Sequence, residues 1–320
     1  MKKHKKLIIL IIPTILILIS VLIILFSRNL SKDNFPSNES NGNLEMNSEG
    51  IYAVNHNYFK SLYPLDEKSV LKAADYMKNL QKTYMTDKNR VFYAVIPDKS
   101  YYDKLSDYDK LDYDKMLQIL NQNIDSIEYI ELKDLLDLDD YYKTDNHWKQ
   151  ENIINIADRI GEKLGFKIDA AQFEKKSYSG LNGMYSKYIG GKESSEELNY
   201  LINNHILNAI VDNYQNKSFT KIYDTERLNT DISYDVFLSG ATPFLTITNP
   251  SAGNNKELVI FRDSYTSSLA PLLVSEYSKI TLIDTRYMAN ILIKDFIEFG
   301  NQDVLFLYSS GIINNSTMLK

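Results

Sequence analysis

Two short runs of large apolar residues constrain the fold more than any other part of the sequence. Residues 258–261 read Leu-Val-Ile-Phe, and residues 304–308 read Val-Leu-Phe-Leu-Tyr. Because successive side chains of a strand point to opposite faces, these runs predict strands buried on both faces, as in a parallel sheet covered by helices. Apolar-rich runs at residues 91–96, 127–132 and 280–283 predict three more strands of that sheet.

Helical patterns lie between these predicted strands. Their apolar spacing predicts helices at residues 67–85, 149–164, 267–278 and 291–299. The alternation of strands and helices indicates an α/β fold rather than a β-sandwich. Residues 166–250 have weaker periodicity and many Gly, Asn and Ser residues, which predicts a loop-rich insertion over the sheet and a place for a substrate groove.

The N-terminal part of the chain predicts a membrane anchor. Residues 7–26 form an uncharged, largely apolar run long enough to span a ~30 Å hydrocarbon core. Four lysines lie in the stub of residues 1–6, so the positive-inside bias places the stub in the cytoplasm and the rest of the chain outside the cell. A cleavable signal peptide is the alternative, although its apolar stretch is normally about 7–15 residues long. The polar residues 27–50 predict a flexible linker, which leaves residues 51–320 as an extracellular domain.

Composition excludes several classes of protein. The 320 residues include no cysteine, which excludes disulfides, thiol catalysis and a lipid-modified N-terminal Cys. The net charge of −6 provides no basic field for nucleic-acid phosphates, so no nucleic-acid partner is predicted. His147 and Glu151 are four residues apart, but no third ligand is evident beside them, so the sequence predicts neither a metal site nor a cofactor.

His147 is the histidine with the clearest chemical context. The other three of the four histidines lie in the predicted stub or lack an acidic neighbour. Residues 144–148 read Thr-Asp-Asn-His-Trp, so the side chains of Asp145 and His147 point the same way in an extended segment. A carboxylate so placed can hold one ring nitrogen and leave the other free to take a proton. The alternative is that His147 caps the following helix and Trp148 packs beneath it.

Ser264 stands where a buried strand passes directly into a helical pattern. A serine on such a turn has its hydroxyl at the carboxyl edge of the sheet, beside free N–H groups that can stabilise an oxyanion. The alternative is that Asp263 and Ser264 serve only as helix N-caps. Together with Asp145 and His147, Ser264 supplies the parts of a Ser–His–Asp triad, which predicts nucleophilic catalysis.

Residues 144–148 resemble the signature of the DHHW proteins, which are related to the alginate O-acetylation proteins AlgJ and AlgX. The resemblance spans roughly residues 51–310, with further matches at residues 95–99, 234–240, 263–265, 283–287 and 303–308. It implies a three-layer α/β/α domain of the SGNH-hydrolase type with a mostly parallel central sheet. It also implies that Ser264 is the nucleophile, His147 the base and Asp145 the residue that orients the base.

The same resemblance implies a function. DHHW-type proteins are expected to move acetyl groups onto an exported polysaccharide or cell-wall glycan, without a cofactor. Because acetyl-CoA is not expected outside the cytoplasm, the acetyl group is expected to come from a membrane-bound O-acyltransferase partner. Two alternatives stay open: a polysaccharide deacetylase or esterase that uses water with the same triad, and a non-catalytic glycan-binding scaffold subunit of an envelope complex.

The chain departs from the family pattern at three places. Asn146 stands where a second His is common, and Arg262 precedes the Asp-Ser pair where Lys or Gly is frequent. Residues 239–241 read Ser-Gly-Ala where Gly-Gly-Asn is expected. Gly240 of this segment is a candidate for the oxyanion hole.

Four further residues are candidates for contacts with the substrate or the oxyanion. Arg286 follows a predicted strand and is placed to hold a carboxylate or acidic sugar, unless it pairs with Asp284. Tyr265 is placed to donate to the oxyanion or to pack under the turn. Lys99 follows another strand at the same edge, and Trp148 offers a ring for stacking on a sugar, with a scaffold role as its alternative.

Overall fold

The computed structural model describes residues 42–188 and 196–320, and its centre is a seven-stranded sheet. The strands of the described residues are β1 (Ile51–Val54), β2 (Asn57–Lys60), β3 (Arg90–Ile96), β4 (Glu128–Tyr129), β5 (Glu174–Ser179), β6 (Glu197–Ile202), β7 (Ile210–Asn213), β8 (Phe244–Thr248), β9 (Glu257–Arg262), β10 (Lys279–Ile283) and β11 (Asp303–Ser309). The α-helices are α1 (Glu67–Tyr84), α2 (Tyr113–Asn123), α3 (Ile154–Leu164), α4 (Asn204–Asn208), α5 (Thr266–Leu269) and α6 (Ser310–Asn314). Short 3₁₀ segments connect many of these elements.

The central sheet is mostly parallel, as predicted. Its strand order is β4-β3-β11-β9-β10-β8-β7. The first five strands of this order run parallel to one another, whereas β8 is antiparallel to both of its neighbours. The strands predicted from apolar runs at residues 91–96, 258–261, 280–283 and 304–308 are present as β3, β9, β10 and β11.

Helices cover both faces of the sheet. Leu258 and Ile260 of β9 pack on the side of α3 and of the segment after α5, whereas Val259 and Phe261 pack on the side of α1, α2 and α6. This two-sided burial is what the continuous apolar runs predicted. The carboxyl ends of the parallel strands therefore meet at one edge, where polar side chains can gather.

Three of the predicted helices form in whole or in part. α1 matches its prediction because Asp66 caps its first turn with a side-chain oxygen. The predicted helix 149–164 begins later, as α3, after a 3₁₀ turn at Gln150–Asn152. The predicted helix 267–278 divides into α5 and a 3₁₀ segment, Ala270–Glu276, which contains a proline that has no amide hydrogen to donate.

The predicted helix at residues 291–299 is wrong. The chain there forms only a 3₁₀ segment, Asn290–Asp295. Ile291 is 64% exposed and Leu292 is 44% exposed, whereas Ile293 is buried. Ile291 and Leu292 therefore face solvent, whereas Ile293, Phe296, Ile297 and Phe299 pack against the core without a continuous helix.

The stretch at residues 166–250 differs from its prediction as a loop-rich insertion. β7 and β8 belong to this stretch, yet both extend the central sheet. β8 alternates apolar residues with Thr and so lacks the continuous apolar run by which central strands are recognised. β5 and β6 form a separate antiparallel hairpin in the same stretch. The predicted strand at residues 127–132 is shortened to the two residues of β4.

Residues 42–50, predicted as the end of the flexible linker, are attached to the domain. Leu44 pairs with Ala53 of β1 and packs with the apolar residues of the β1–β2 hairpin, which corrects the linker prediction for these residues. The remainder of the linker, the basic stub and the predicted anchor at residues 7–26 lie outside the described residues. Within the described part of the chain, no helix has both the length and the hydropathy needed to cross a membrane.

Candidate active site

The loop that carries Asp145 and His147 is closed by backbone contacts. Tyr141 and Trp148 form an isolated antiparallel bridge, and the Tyr142 amide donates to the carbonyl oxygen of His147 at 3.1 Å. These contacts bring the two ends of the loop together. The side chains of the loop are thereby presented to the carboxyl edge of the sheet.

Asp145 is fully buried and holds one side of the imidazole. Its Oδ1 accepts from His147 Nδ1 at 2.6 Å and from the His147 amide at 2.9 Å, and its Oδ2 accepts from the Met184 amide at 2.8 Å. Since an ionised carboxylate cannot donate, Nδ1 carries the hydrogen and Nε2 is left as an acceptor. Burial raises the pKa of Asp145, but the charge and hydrogen bonds of His147 outweigh burial, so the pKa lies below its ordinary value of 3.8.

Ser264 lies in the turn directly after β9. Asp263 holds this turn, because its Oδ1 accepts from the Tyr265 amide at 3.1 Å and its Oδ2 accepts from the Ser309 amide at 2.7 Å. Ser264 Oγ lies 2.8 Å from His147 Nε2. The three side chains that the sequence proposed as a triad therefore form one hydrogen-bonded chain.

Two aromatic rings hold the imidazole of His147. The ring of Tyr234 stacks on it with centroids 3.8 Å apart, and the ring of Tyr265 lies against it at 4.8 Å. Sequence reasoning did not single out Tyr234, although Tyr234 opens the family-like segment at residues 234–240. An imidazole fixed in this way can take the proton of the serine hydroxyl while the carboxylate stabilises the resulting imidazolium.

Ser264 opens into a cavity of about 360 Å³, a volume in the usual range for small-molecule sites. The β1–β2 hairpin, the loop of Asn146 and the turn after β9 all contribute walls. The polar residues that line it with Ser264 are Glu49, Lys60, Asp98, Asn146, Lys187, Asp263, Arg286 and Ser309. Its apolar and aromatic residues include Ile51, Leu62, Met184, Tyr185, Tyr188, Tyr265 and Ile312.

Asp98 and Asn146 are among the cavity residues that were not proposed as site residues from the sequence. Asp98 follows β3, and burial raises the pKa of its carboxyl group. Asn146 carries a buried side-chain oxygen for which the described residues provide no hydrogen-bond partner. Asp98 belongs to the family-like segment 95–99, and Asn146 lies between Asp145 and His147, so both could have been found from the motifs.

Trp148 does not offer its ring to a sugar. It is fully buried, and its Nε1 donates to Ser268 Oγ at 2.9 Å and to the carbonyl oxygen of Tyr265 at 3.2 Å. The scaffold alternative is the one that the structure supports. Tyr265 lines the cavity, but its hydroxyl donates to the carbonyl oxygen of Asn146 at 2.7 Å, so it packs under the turn and is not directed to an oxyanion.

Lys99 lies inside the protein instead of lining the cavity. It is 1% exposed, and its Nζ donates to the carbonyl oxygens of Tyr58, Tyr142 and Lys143. Burial lowers the pKa of Lys99 to about 7, although the negative charge of Glu196 opposes this effect. The proposed substrate contact of Lys99 is therefore wrong, because every hydrogen of its ammonium group is taken by the backbone.

Gly240 and Arg286 differ in their relation to the cavity. Gly240 has a φ of +85° and lies so close to Asp235 that an added Cβ would be 2.8 Å from its Oδ1; Gly240 does not line the cavity. Arg286 does line it and is also paired with Asp284, to which it donates from Nε at 2.9 Å and from Nη2 at 2.6 Å. Burial lowers the pKa of Arg286, but the Asp284 contacts outweigh burial and the net shift is upward.

Within residues 42–188 and 196–320, no three His, Asp or Glu side chains come together in a way that would hold a metal ion.

Arg262, which departs from the family pattern, is buried beside the turn and donates to Ser267 Oγ at 2.6 Å. Its guanidinium therefore helps to hold the start of α5 behind Ser264.

The fold and the site together define an α/β protein with a Ser–His–Asp chain at the carboxyl edge of a mostly parallel sheet. No protein-family model matches the sequence, and no curated protein matches it. Solved structures do match, and they include a DHHW family protein from Eubacterium siraeum, with a TM-score of 0.68 and 16% identity over 87% of this chain and 99% of that one.

Two further solved structures share the fold. Bacillus cereus PatB1, solved with a sulfonyl adduct, has a TM-score of 0.67 and 18% identity over 84% of this chain and 97% of that one. The O-acetyltransferase domain of Pseudomonas putida AlgJ has a TM-score of 0.53 and 9% identity over 83% of this chain and 92% of that one. The predicted resemblance to DHHW and AlgJ proteins is confirmed at the level of the fold.

Proposed function

We propose that this chain is a membrane-anchored O-acetyltransferase that moves acetyl groups onto an extracellular polysaccharide or cell-wall glycan through a serine acyl-enzyme. The observation that carries the proposal is the hydrogen-bonded chain from Asp145 through His147 to Ser264, which ends at a cavity. An oriented base beside a hydroxyl nucleophile is the arrangement that acyl transfer requires.

In the first half-reaction, Ser264 Oγ attacks the acyl carbonyl of the donor while His147 Nε2 takes the hydroxyl proton. The tetrahedral intermediate then breaks its bond to the leaving group, which receives that proton, and acetyl-Ser264 remains. In the second half-reaction, a glycan hydroxyl gives its proton to His147 and attacks the serine ester. The proton returns to Ser264 Oγ as the ester bond breaks, so the side chains end as they began.

The structural comparisons support the proposal through the fold. One protein that shares the fold is an O-acetyltransferase domain, and another was solved with a sulfonyl adduct. The apolar run at residues 7–26 and the lysines before it support anchoring in the cell membrane with the domain outside the cell. A membrane-bound O-acyltransferase is the proposed source of the acetyl group.

The test uses the full-length chain in detergent with an activated acetyl ester, with and without a glycan acceptor. We expect acetylated Ser264, transfer of the acetyl group to the glycan, and loss of both in Ser264→Ala. Ester hydrolysis that no glycan changes would instead identify an esterase that uses the same side chains. If cells with Ser264→Ala and His147→Ala acetylate their polymer fully while deletion of residues 7–50 stops acetylation, the chain is a scaffold.

A further inference from the structure

Lys99 holds the backbone that leads to Asp145. Its ammonium group donates to the carbonyl oxygens of Tyr142 and Lys143, at 2.7 Å and 2.8 Å. Its third hydrogen bond, at 2.7 Å, goes to the carbonyl oxygen of Tyr58 in β2. One buried cation thus ties the loop to the β1–β2 hairpin that forms a wall of the cavity.

Glu196 holds the opposite side of the same backbone. Its Oε1 accepts from the Lys143 amide at 2.6 Å, and its Oε2 accepts from the amide and the hydroxyl of Thr144, both at 2.8 Å. The peptide group between Tyr142 and Lys143 is therefore held by Lys99 at its oxygen and by Glu196 at its N–H. The peptide group between Lys143 and Thr144 is held by the same two residues in the same way.

The turn at residues 183–185 packs closely against this segment. An added Cβ at Gly183 would lie 2.2 Å from the carbonyl oxygen of Thr144, and that oxygen accepts from the Tyr185 amide at 3.0 Å. Met184 donates its amide to Asp145 Oδ2 at 2.8 Å. Asp145, whose carboxylate orients the imidazole, directly follows residues 142–144, whose peptide groups Lys99 and Glu196 hold.

We propose that Lys99 and Glu196 are paired positioning residues that fix the peptide groups of residues 142–144 and, through Asp145, the orientation of His147. The kinetic test of this proposal rests on the proposed function, whereas its spectroscopic test does not. Hydrogen bonds to a full charge are about twice as strong as those between neutral groups. With Lys99 in its ammonium form, two opposite charges across two consecutive peptide groups therefore resist rotation of the loop more than neutral partners would.

The experiment compares Glu196→Gln and Lys99→Met with the full-length wild type. Gln cannot accept from two amides with both of its terminal atoms, and Met removes the three hydrogen bonds that Lys99 donates. Because a displacement of about 1 Å can cost about 100-fold in rate, we expect kcat for an activated acetyl ester to fall about 10- to 100-fold while KM changes little. Glu196→Asp, which keeps both carboxylate oxygens, is expected to retain more activity than Glu196→Gln.

The matched controls remove the same groups from surface ion pairs. Lys133→Met breaks the pair with Asp114, and Glu128→Gln breaks the pair with Lys163, so neither should change kcat. The second readout is the low-field proton resonance of His147 Nδ1, assigned by its loss in Asp145→Asn. We expect this resonance to shift or broaden in Glu196→Gln and Lys99→Met and to stay unchanged in the controls.

The outcomes separate this proposal from the proposed function. If both variants keep the resonance and the kcat of the controls, the positioning role is overturned. A wild type without acetyl-ester activity would overturn the proposed function alone, because the resonance would still report the position of the imidazole. If Lys99→Met does not fold, Glu196→Gln decides the outcome. If Glu196→Gln is less stable than the wild type but keeps the His147 Nδ1 proton resonance unchanged, Glu196 has only a structural role and the positioning role is overturned.

Discussion

The phenol ring of Tyr234 lies parallel to the imidazole of His147, with an angle of 6° between the two planes and 3.8 Å between their centroids. Tyr234 is itself held by a hydrogen bond of 2.7 Å between its hydroxyl and Ser268 Oγ. Ser268 also accepts from Trp148 Nε1, so the residue after His147 and the ring beneath His147 share one anchor in α5. The plane of the base is thus tied to the helix that follows the proposed nucleophile.

Replacing the ring of Tyr234 should slow the reaction more than removing its hydroxyl. Stacked aromatic pairs contribute about 1 kcal/mol beyond buried area, and Tyr234→Leu also loses the hydrogen bond to Ser268, so we expect it to lower kcat about 10-fold or more. Tyr234→Phe keeps the ring and loses only one neutral hydrogen bond, so its kcat should fall less than that of Tyr234→Leu. Steady-state kinetics with an acetyl ester measure both, and equal losses in the two variants would show that the hydroxyl matters instead of the stacking.

Ser264→Ala should abolish acyl transfer. Removing the nucleophile of a triad lowers kcat by about 10⁴-fold or more. Mass spectrometry after treatment with a sulfonyl fluoride should find the label on Ser264 in the wild type and none in the variant. Ser126, whose hydroxyl bonds to Gln81 on the exposed surface, provides the control substitution Ser126→Ala. A label that persists in Ser264→Ala would place the reactive hydroxyl elsewhere.

Acid should remove the part of the stability that Asp145 supplies. The contacts of His147 lower the pKa of Asp145 below 3.8 in the fold despite its burial, so folding favours the ionised carboxylate. This contribution is present above the pKa of the unfolded chain and is lost as pH falls through the folded pKa. We therefore expect the free energy of unfolding of Asp145→Asn to fall less steeply in acid than that of the wild type.

Denaturant unfolding at a series of pH values measures this difference. Asp75→Asn is the control, because Asp75 is exposed and forms only a surface pair with Lys78. The free energy of unfolding of Asp75→Asn should fall in acid as steeply as that of the wild type. If that of Asp145→Asn also falls as steeply, the ionised carboxylate of Asp145 adds nothing to stability.

Gly183→Ala should destabilise the domain through the loop of Asp145. The added Cβ would lie 2.2 Å from a backbone oxygen of Thr144, which cannot turn aside as a flexible side chain does. Overpacking of this kind costs about 1–3 kcal/mol. At Gly253 an added Cβ meets nothing within 4 Å, so Gly253→Ala should stay within about 0.5 kcal/mol of the wild type. Chemical denaturation measures both values, and equal stabilities would mean that the loop adjusts freely.

The parts of the fold that could be predicted are those in which one residue type determines burial. β9 and β11 are apolar on both faces, and this pattern occurs in few settings other than the centre of a covered sheet. The pairing of Asp145 with His147 was predicted from their spacing in an extended segment, but the chain bends at residues 143–147 and Asp145 Oδ1 also accepts from the His147 amide. Their meeting with Ser264 was proposed from motifs that are more than a hundred residues apart in sequence.

The parts that could not be predicted depend on contacts between distant segments. A lysine such as Lys99 is normally solvated, and only the convergence of Tyr58, Tyr142 and Lys143 makes its burial possible. From the sequence, the Trp148 ring is a plausible surface for stacking on a sugar, but in the structure the ring is buried beside α5. The apolar residues at 291–299 predicted a helix, but in the structure Ile291 and Leu292 face solvent while Ile293 is buried.

The wall that Glu49, Ile51, Lys60 and Leu62 contribute to the cavity has a practical consequence for anyone who prepares a soluble version of this protein. A cut at the predicted domain boundary, residue 51, would delete Glu49 and the strand-like pairing of Leu44 with Ala53. Such a fragment would retain every side chain of the proposed relay yet have an altered cavity wall. Shortened versions should therefore keep the chain from Gly42 onward, or an effect of the missing wall will be mistaken for a property of the native protein.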